Sequence, residues 1–189
     1  MDLLTYAHQG ADLRIRFFAA NEARILQAAA WLETALTGGG KVLAFGNGGS
    51  AADAQHLAGE LVGRFRDNRA PLAAVALSTD PSVVTCIAND YGYEEIFARQ
   101  IEALAKPGDI AWAISTSGNS PNVLAGARVA KAKGLKVIGL LGRDGGRLAE
   151  LCDLPLVVGV KETYLVQEVH TAIMHAVCAL LEENFARRG

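Results

Sequence analysis

The chain has 189 residues, of which 51% are hydrophobic and 6% aromatic, and its formal net charge is −2. A chain of this length is expected to form one domain with a substantial core. The near-neutral charge, without any run of basic residues, argues against a nucleic-acid surface, because such surfaces need clustered Lys and Arg. Any anionic ligand is therefore expected to be small.

The apolar segments are interrupted by Gly, Asp or Lys before they reach the roughly 18 residues of a membrane span, and the N-terminus lacks the pattern of a secretory signal. We therefore expect a cytoplasmic protein without membrane contact. Cys86, Cys152 and Cys178 are far apart and show no CxxC spacing, which predicts three buried, reduced thiols.

Clusters of glycine follow the apolar runs of the chain, a pattern typical of strands that lead into helices. The first predicted helix covers 21–36, and its apolar stripe, with Trp31 and Leu32, suits a partner helix. The predicted strands are 41–45, 72–77, 110–115, 136–141 and 154–158, and the later helices are 50–66, 92–105, 121–134 and 164–187.

Strands that alternate with helices predict a parallel sheet with helices on both faces, because parallel neighbours are joined by right-handed crossovers. The expected fold is α/β: a three-layer α/β/α sandwich with a five-stranded parallel sheet and long N- and C-terminal helices. Such sheets bind ligands beyond the carboxyl ends of their strands. The loops of interest are therefore 46–50, 78–80, 115–120 and 142–146.

The first of these loops, GNGGSA at 46–51, lies between a strand and a helix, where backbone N–H groups can face an anion. Its G-x-G-x-x-A pattern fits a dinucleotide fingerprint only superficially, because the acidic residue expected about 20 positions later is missing. The absence of a following Gly-Lys-Ser/Thr excludes a nucleotide P-loop. Ala52 stands where a G-x-S-x-G nucleophile elbow has its last Gly.

A second polar loop, STSGNS at 115–120, follows another predicted strand, with Ser120 as helix N-cap and Pro121 at the first helical position. Turn and cap chemistry alone would explain one such loop. Two loops of this kind, rich in hydroxyls and without lysine, indicate a phosphate carried by a small polyol. The hydroxyls are those of Ser115, Thr116, Ser117 and Ser120.

Titratable side chains recur at helical spacing on two predicted helices. His56 and Glu60 are four residues apart and face the same way, which is also typical of a surface salt bridge. Gln167 and His175 share a stripe of the final helix, whereas His170 points elsewhere and is expected to be structural. Together, His56, Glu60, Gln167 and His175 form a ligand set compatible with zinc.

Five stretches carry a family resemblance over nearly the whole chain: LAFGNGGSAADAQHLAGELVGRF (43–65), ANDYGYEEIFARQ (88–100), ISTSGNSPNV (114–123), GLLGRDGG (139–146) and QEVHTAIMH (167–175). They resemble the sugar isomerase (SIS) domain family, and within it the isomerases of seven-carbon sugar phosphates. The resemblance implies a single SIS domain over 1–189 and a homotetramer with sites at subunit junctions.

The resemblance also implies an activity, the conversion of sedoheptulose 7-phosphate to D-glycero-D-manno-heptose 7-phosphate through an enediol. That reaction needs a base, an acid and a group that stabilises the developing oxyanion. The implied base is Glu60, the acid is His175, and one zinc ion per subunit lies among His56, Glu60, Gln167 and His175. The implied substrate-binding residues are Asn47, Gly48, Gly49, Ser50, Glu60, Asn89, Asp90, Ser115, Thr116, Ser117, Ser120 and Gln167.

One departure from the family pattern concerns specificity. Family members usually carry Arg two residues before the glutamine, whereas this chain has Leu165 there, beside Tyr164. The preferred sugar phosphate is therefore left open. The alternative function is that of a non-catalytic SIS regulator that binds the replication initiator DnaA. Such regulators lack part of the carboxylate and histidine set, so the presence of both Glu60 and His175 favours an isomerase.

Overall fold

The computed structural model describes residues 2–186, which form seven α-helices and five strands. The helices are Leu3–Thr37 (α1), Gly49–Val62 (α2), Pro81–Tyr91 (α3), Ala98–Leu104 (α4), Pro121–Ala132 (α5), Gly146–Leu151 (α6) and Thr163–Ala186 (α7). The strands are Val42–Phe45 (β1), Ala74–Ala76 (β2), Ile110–Ser115 (β3), Lys136–Gly142 (β4) and Leu154–Val158 (β5). A 3-10 turn covers Tyr93–Glu95.

The five strands form one sheet in the order β2-β1-β3-β4-β5, and every neighbouring pair is parallel. β1 and β3 are neighbours in this order, so the loops that follow them emerge side by side at the carboxyl edge of the sheet. The predicted five-stranded parallel sheet is confirmed. β3 and β5 have the bounds that the sequence predicts.

Two apolar cores separate the helices into layers. Buried residues of α1, α2 and α7 pack against one face of the sheet, around Trp112 and Ile138. Residues of α4, α5 and α6 pack against the other face, around Phe45 and Val137, and α3 contributes partly buried residues there. The three-layer α/β/α architecture is therefore confirmed, and α2 and α7 lie in the same outer layer.

The first helix is much longer than the sequence pattern predicts, because it begins at Leu3 rather than at residue 21. The Asp2 side chain accepts hydrogen bonds from the Leu4 and Thr5 backbone N–H groups and so caps it. The stripe with Leu32 has its partner helix within the chain, because Leu32 is fully buried in the core where α1 packs against α7.

Other differences concern short or exposed helices. α3 is absent from the sequence prediction, although Asp80 caps its N-terminus and Pro81 occupies its first turn. None of its residues is fully buried, and its apolar stripe of Val84, Ile87 and Ala88 is only partly covered by the core. α6 was also not predicted, and the predicted helix 92–105 divides into the 3-10 turn and α4. α2 ends at Val62, before Gly63, instead of continuing to residue 66.

The final helix corrects the expectation that no segment reaches the length of a membrane span. Thr163–Phe185 is long and apolar enough to cross a membrane by length and composition. Half of that apolar window is buried inside the fold, where α7 packs against α1 and the sheet.

The cysteines are all free, as expected, but only Cys178 is buried. Cys152 is partly buried and Cys86 is exposed on α3, so the prediction of three buried thiols is wrong for these two. Burial raises the pKa of Cys178 to about 12, with Glu60 and Glu182 adding to the rise, so this residue remains a neutral thiol at ordinary pH.

Candidate active site

The glycine loop after β1 leads directly into α2, which begins at Gly49. Gly48 has a φ of 55° and no atom near the position that a Cβ would take, so its backbone is open to a ligand. Ser50 is buried in the first turn of α2. The Ser50 N–H donates to the Asn47 carbonyl and the Ala51 N–H to the Gly48 carbonyl, so the positive end of the helix dipole, rather than a set of free N–H groups, favours an anion at this loop.

The hydroxyl loop after β3 concentrates three side-chain oxygens in a small volume. Ser115 Oγ lies 3.0 Å from Ser120 Oγ and 3.4 Å from Ser117 Oγ. Ser120 occupies the N-cap position of α5, as predicted, but its side chain makes no capping hydrogen bond. Its hydroxyl therefore points to the other serines of the loop instead of closing the helix end.

Gly118 shapes the same loop, because its φ is 63° and a Cβ there would collide with the Gly145 backbone. A cavity of about 630 Å³ borders the loop at Ser117 and Asn119. Its wall also includes Arg143, Asp144 and Lys161, so the cavity carries charges of both signs.

A reciprocal amide pair joins the two loops. Asn47 donates from Nδ2 to Asn122 Oδ1, Asn122 donates from Nδ2 to Asn47 Oδ1, and both distances are 2.8 Å. The Tyr93 hydroxyl also donates to Asn47 Oδ1 at 3.1 Å. Sequence reasoning missed Asn122, which is 2% exposed and follows Pro121 at the start of α5. The pair fixes the glycine loop relative to the hydroxyl loop.

α2 and α7 lie side by side and run in the same direction, so their residues meet in register. Gly49 faces the Gln167 side chain at the start of α2. One turn further along, Thr171 Oγ1 donates to Asp53 Oδ1 at 3.1 Å. The register then brings His175 to His56, with their Nε2 atoms 3.4 Å apart.

His56, Glu60 and His175 form one cluster between these two helices. The His56 Nε2 atom lies 3.0 Å from Glu60 Oε1. One ligand atom from each of the three side chains lies within 4.8 Å of the others, so the group could hold a metal ion. A simple surface salt bridge does not describe the pair on α2, because the second imidazole converges on it from α7.

Asp53 is a polar residue of this region that sequence reasoning missed. It is 9% exposed, and its second carboxylate oxygen, Oδ2, has no hydrogen-bond partner among residues 2–186. Burial raises the pKa of Asp53, while the hydrogen bond from Thr171 and the nearby His56 and His175 oppose the rise. Its spacing of three residues before His56 was the available signal, since it places both on one face of α2.

The sequence matches a known family of proteins. A family model described as SIS domain matches residues 5–142. The chain belongs to the SIS domain family. It is 48% identical over 180 residues to the phosphoheptose isomerase of Nitratidesulfovibrio vulgaris, covering 95% of this chain and 86% of the relative. It is 47% identical over 181 residues to that of Aquifex aeolicus, covering 96% and 95%.

Solved structures give the same family. The phosphoheptose isomerase GmhA of Neisseria gonorrhoeae superposes on this SIS domain with a TM-score of 0.90 and 39% identity, covering 96% of this chain and 97% of the other. The Francisella tularensis phosphoheptose isomerase superposes with a TM-score of 0.92 and 36% identity, covering 96% of each chain.

Gln167 lies apart from the histidine cluster in this SIS domain. Its side chain packs on Gly49, and it precedes His175 by eight residues, or about 12 Å of helix. Leu165, at the family's arginine position, is buried, and Tyr164 stacks on Tyr6 with ring centroids 5.5 Å apart. Metal ligation by Gln167 therefore stays a prediction.

Asn89 and Asp90 lie near the exposed end of α3. Asn89 Nδ2 donates to Asp90 Oδ1 at 2.8 Å. Within the described part of the chain, neither side chain hydrogen-bonds to the glycine loop or the hydroxyl loop. Their contact with substrate also stays a prediction.

Proposed function

We propose that this chain is a single SIS domain, over 1–189, that isomerises sedoheptulose 7-phosphate to D-glycero-D-manno-heptose 7-phosphate. The observation that carries the proposal is the convergence of Glu60 with His56 and His175 between α2 and α7, in the layer that the glycine loop enters. The curated relatives at 47–48% identity are phosphoheptose isomerases, which supports this substrate class.

The reaction moves a proton between C1 and C2 of the sugar through an enediol. Glu60 takes the proton as general base, and His175 serves as the acid partner at the substrate oxygen. A carboxylate and an imidazole in one cluster can exchange these roles in the two directions of the reaction. The hydroxyls of Ser115, Thr116, Ser117 and Ser120 hold the phosphate.

The proposed substrate contacts come from both loops and from α3 and α7. The amide pair of Asn47 supports this, because it fixes one loop on the other and so sets the distance between the phosphate and the sugar carbons. The remaining proposed contacts are those of Gly48, Gly49, Ser50, Glu60, Asn89, Asp90 and Gln167.

The donor set fits zinc, one ion per subunit, and the spacing of the cluster supports it. Two ligand nitrogens about 2.1 Å from a tetrahedral zinc ion lie about 3.4 Å apart. The His56 and His175 Nε2 atoms are separated by 3.4 Å. His56, Glu60 and His175 would hold the ion, with Gln167 as the proposed fourth ligand. When bound, zinc supplies a Lewis acid that polarises substrate oxygens.

A homotetramer in the cytoplasm completes the proposal. Between α1 and α7 runs an apolar groove of about 490 Å³, lined in part by Phe18, Leu26 and Leu180. Leu3, Leu4 and Ile15 of α1 are also exposed. Such a surface suits a second copy of the chain. Leu26→Glu should dissociate the assembly in light-scattering chromatography, whereas Val75→Glu on exposed β2 should not.

The regulator alternative requires no paired base and acid. Here Glu60 and the two imidazoles are brought together from helices far apart in sequence, and a DnaA-binding surface gives no reason for that convergence. We therefore retain the isomerase as the function.

The test is turnover of sedoheptulose 7-phosphate by the purified protein, with and without a chelator. Glu60→Gln and His175→Ala should each lower kcat by at least about 100-fold, since each removes a proton-transfer group. His8→Ala, on the exposed part of α1, is the matched control and should retain activity. An inactive wild-type protein that is folded and contains metal would refute the isomerase assignment. Activity that survives chelation in metal-free protein would refute the zinc proposal alone.

A further inference from the structure

The C-terminal end of α2 is closed by a side chain from outside the helix. Gly63 ends the helix, and its N–H donates to the Gly59 carbonyl at 2.9 Å. The next two carbonyls belong to Glu60 and Leu61, and the Arg69 guanidinium binds both. Its Nη2 donates to Glu60 O at 2.6 Å, and its Nη1 donates to Leu61 O at 2.9 Å. A cation at this end also opposes the negative pole of the helix dipole.

The carboxylate of Glu182, on α7, lies on the other side of this guanidinium, at ion-pair distance but without a hydrogen bond to Arg69 Nε. Its Oε1 lies 3.8 Å from Arg69 Nε and accepts hydrogen bonds from the backbone N–H groups of Phe65 and Arg66, at 3.2 and 3.0 Å. Burial by itself raises the pKa of Glu182, but the hydrogen bonds from backbone N–H groups outweigh it and leave the pKa below its ordinary value. Glu182 is therefore a carboxylate that joins α7 to the segment after α2.

The position of this pair relates it to the histidine cluster. Glu182 follows His175 by seven residues, or about two turns, so both lie on the same face of α7. Phe65, whose N–H binds Glu182, also packs its ring against His175, with centroids 5.6 Å apart. On α2, the guanidinium binds the carbonyl of Glu60 itself. The contacts thus connect the backbone of the proposed base to the helix of the proposed acid.

We propose that Arg69 and Glu182 are positioning residues that set the Glu60 carboxylate against His56 and His175. The direction of a helical side chain follows from its backbone, so a carbonyl held at Glu60 limits where the carboxylate can point. As far as turnover is concerned, the inference rests on the proposed function. The placement of the Glu60 carboxylate against the two imidazoles does not depend on the proposed function.

Stability alone is a weak explanation for these contacts. The Arg69 and Glu182 side chains are 8% and 2% exposed, and a buried ion pair can often be replaced by apolar residues without loss of stability. If the pair positions the Glu60 carboxylate, its removal should lower kcat, because a displacement of about 1 Å at a reacting group can cost roughly 100-fold in rate.

The test compares Arg69→Lys and Glu182→Gln with a control of similar burial. Lys retains the charge but cannot bind two carbonyls and face Glu182 together, and Gln retains the shape but loses the charge. Asp109→Asn is the control, since Asp109 is a buried carboxylate that pairs with Lys41 and accepts the Lys106 N–H, away from the site. We expect kcat to fall at least about tenfold in both test variants, with KM within about threefold, and to stay near wild type in Asp109→Asn.

A second readout does not depend on activity. The imidazole ¹⁵N and ¹³C resonances of His56 and His175 should shift in both test variants and stay in place in Asp109→Asn, with exposed His8 unchanged in all. If the wild-type protein does not turn over the substrate, the proposed function fails and these resonances alone decide the positioning role. If Arg69→Lys does not fold, Glu182→Gln decides. Wild-type imidazole resonances in folded Glu182→Gln would overturn the inference.

Discussion

His170 should make the stability of this protein sensitive to mild acid. The side chain is fully buried in α7, and its Nε2–H donates to the Leu141 carbonyl at 3.1 Å. The other ring nitrogen, Nδ1, has no hydrogen-bond partner within residues 2–186. Burial lowers the pKa of His170 to about 4, although the Leu141 contact opposes this. The folded protein therefore keeps this imidazole neutral where an unfolded chain would protonate it.

The magnitude follows from linkage between protonation and folding. The pKa in the unfolded chain is about 6.5, so the unfolded state binds the extra proton between that value and the folded pKa of about 4. The contribution of neutral His170 is complete above about pH 6.5 and is lost as the pH falls towards 4. Between pH 7.5 and pH 5, this one group should lower the free energy of unfolding by about 2 kcal/mol.

Urea unfolding at these two pH values, at one protein concentration, measures the effect. His170→Gln keeps an N–H donor for Leu141 but cannot take up a proton, so its loss between pH 7.5 and pH 5 should be smaller than that of wild type by about 2 kcal/mol. His8→Gln, on exposed α1, should lose as much as wild type. An equal loss in wild type and His170→Gln would refute the buried, neutral state of the imidazole.

Further substitutions test three local features. Gly49→Ala should displace the Gln167 amide that packs there and lower turnover at least about tenfold with little loss of stability. Gly59→Ala is the control: its side chain meets open space, so it should raise the free energy of unfolding by about 0.5–1 kcal/mol and leave kcat unchanged. Ser120→Ala removes one converging hydroxyl and should raise KM for the sugar phosphate about tenfold with a smaller change in kcat. Asp80→Ala removes the N-cap of α3 at a cost of about 1 kcal/mol, which should appear as about fivefold faster hydrogen exchange in that helix. Equal kinetics for the two glycine variants would contradict the role of the Gln167 contact at Gly49. An unchanged KM in Ser120→Ala would contradict the role of its hydroxyl, and unchanged hydrogen exchange in Asp80→Ala would contradict the N-cap.

The strands were predictable because they are buried on both faces. Every residue of β3 is buried, and such a strand appears in the sequence as a continuous apolar run bounded by turn residues. β2 shows the limit of this signal, since it lies at the edge of the sheet and has only three residues, one of them exposed. Its predicted bounds, 72–77, were therefore too wide.

Helices were predictable only where one face is buried. The first half of α1 exposes Leu3, Leu4 and Ile15 and fully buries only Phe17, so its apolar stripe against the core is sparse. α3 has no fully buried residue, and one of its faces is partly buried through Val84, Ile87 and Ala88. In each case the useful signal was the capping residue, Asp2 or Asp80, rather than the apolar pattern.

The residues of the site were likewise predictable only in part. The two loops and the His56–Glu60 pair are local in sequence, and spacing alone indicated them. Partners brought in by tertiary contact were not visible in the sequence: Asn122 reaches the glycine loop across 75 residues, and Arg69 meets Glu182 through the packing of α7. Such pairs depend on the register between helices, which no local pattern encodes.

The histidine cluster joins residues that are 119 positions apart, and this has a consequence for how the protein is made. Both loops and His56 leave the ribosome well before α7, so an emerging chain can complete its sheet while the cluster still lacks one of its two imidazoles. A product released before residue 175 would retain the glycine and serine loops without the second histidine. The cluster is therefore complete only once the last helix has packed against α2.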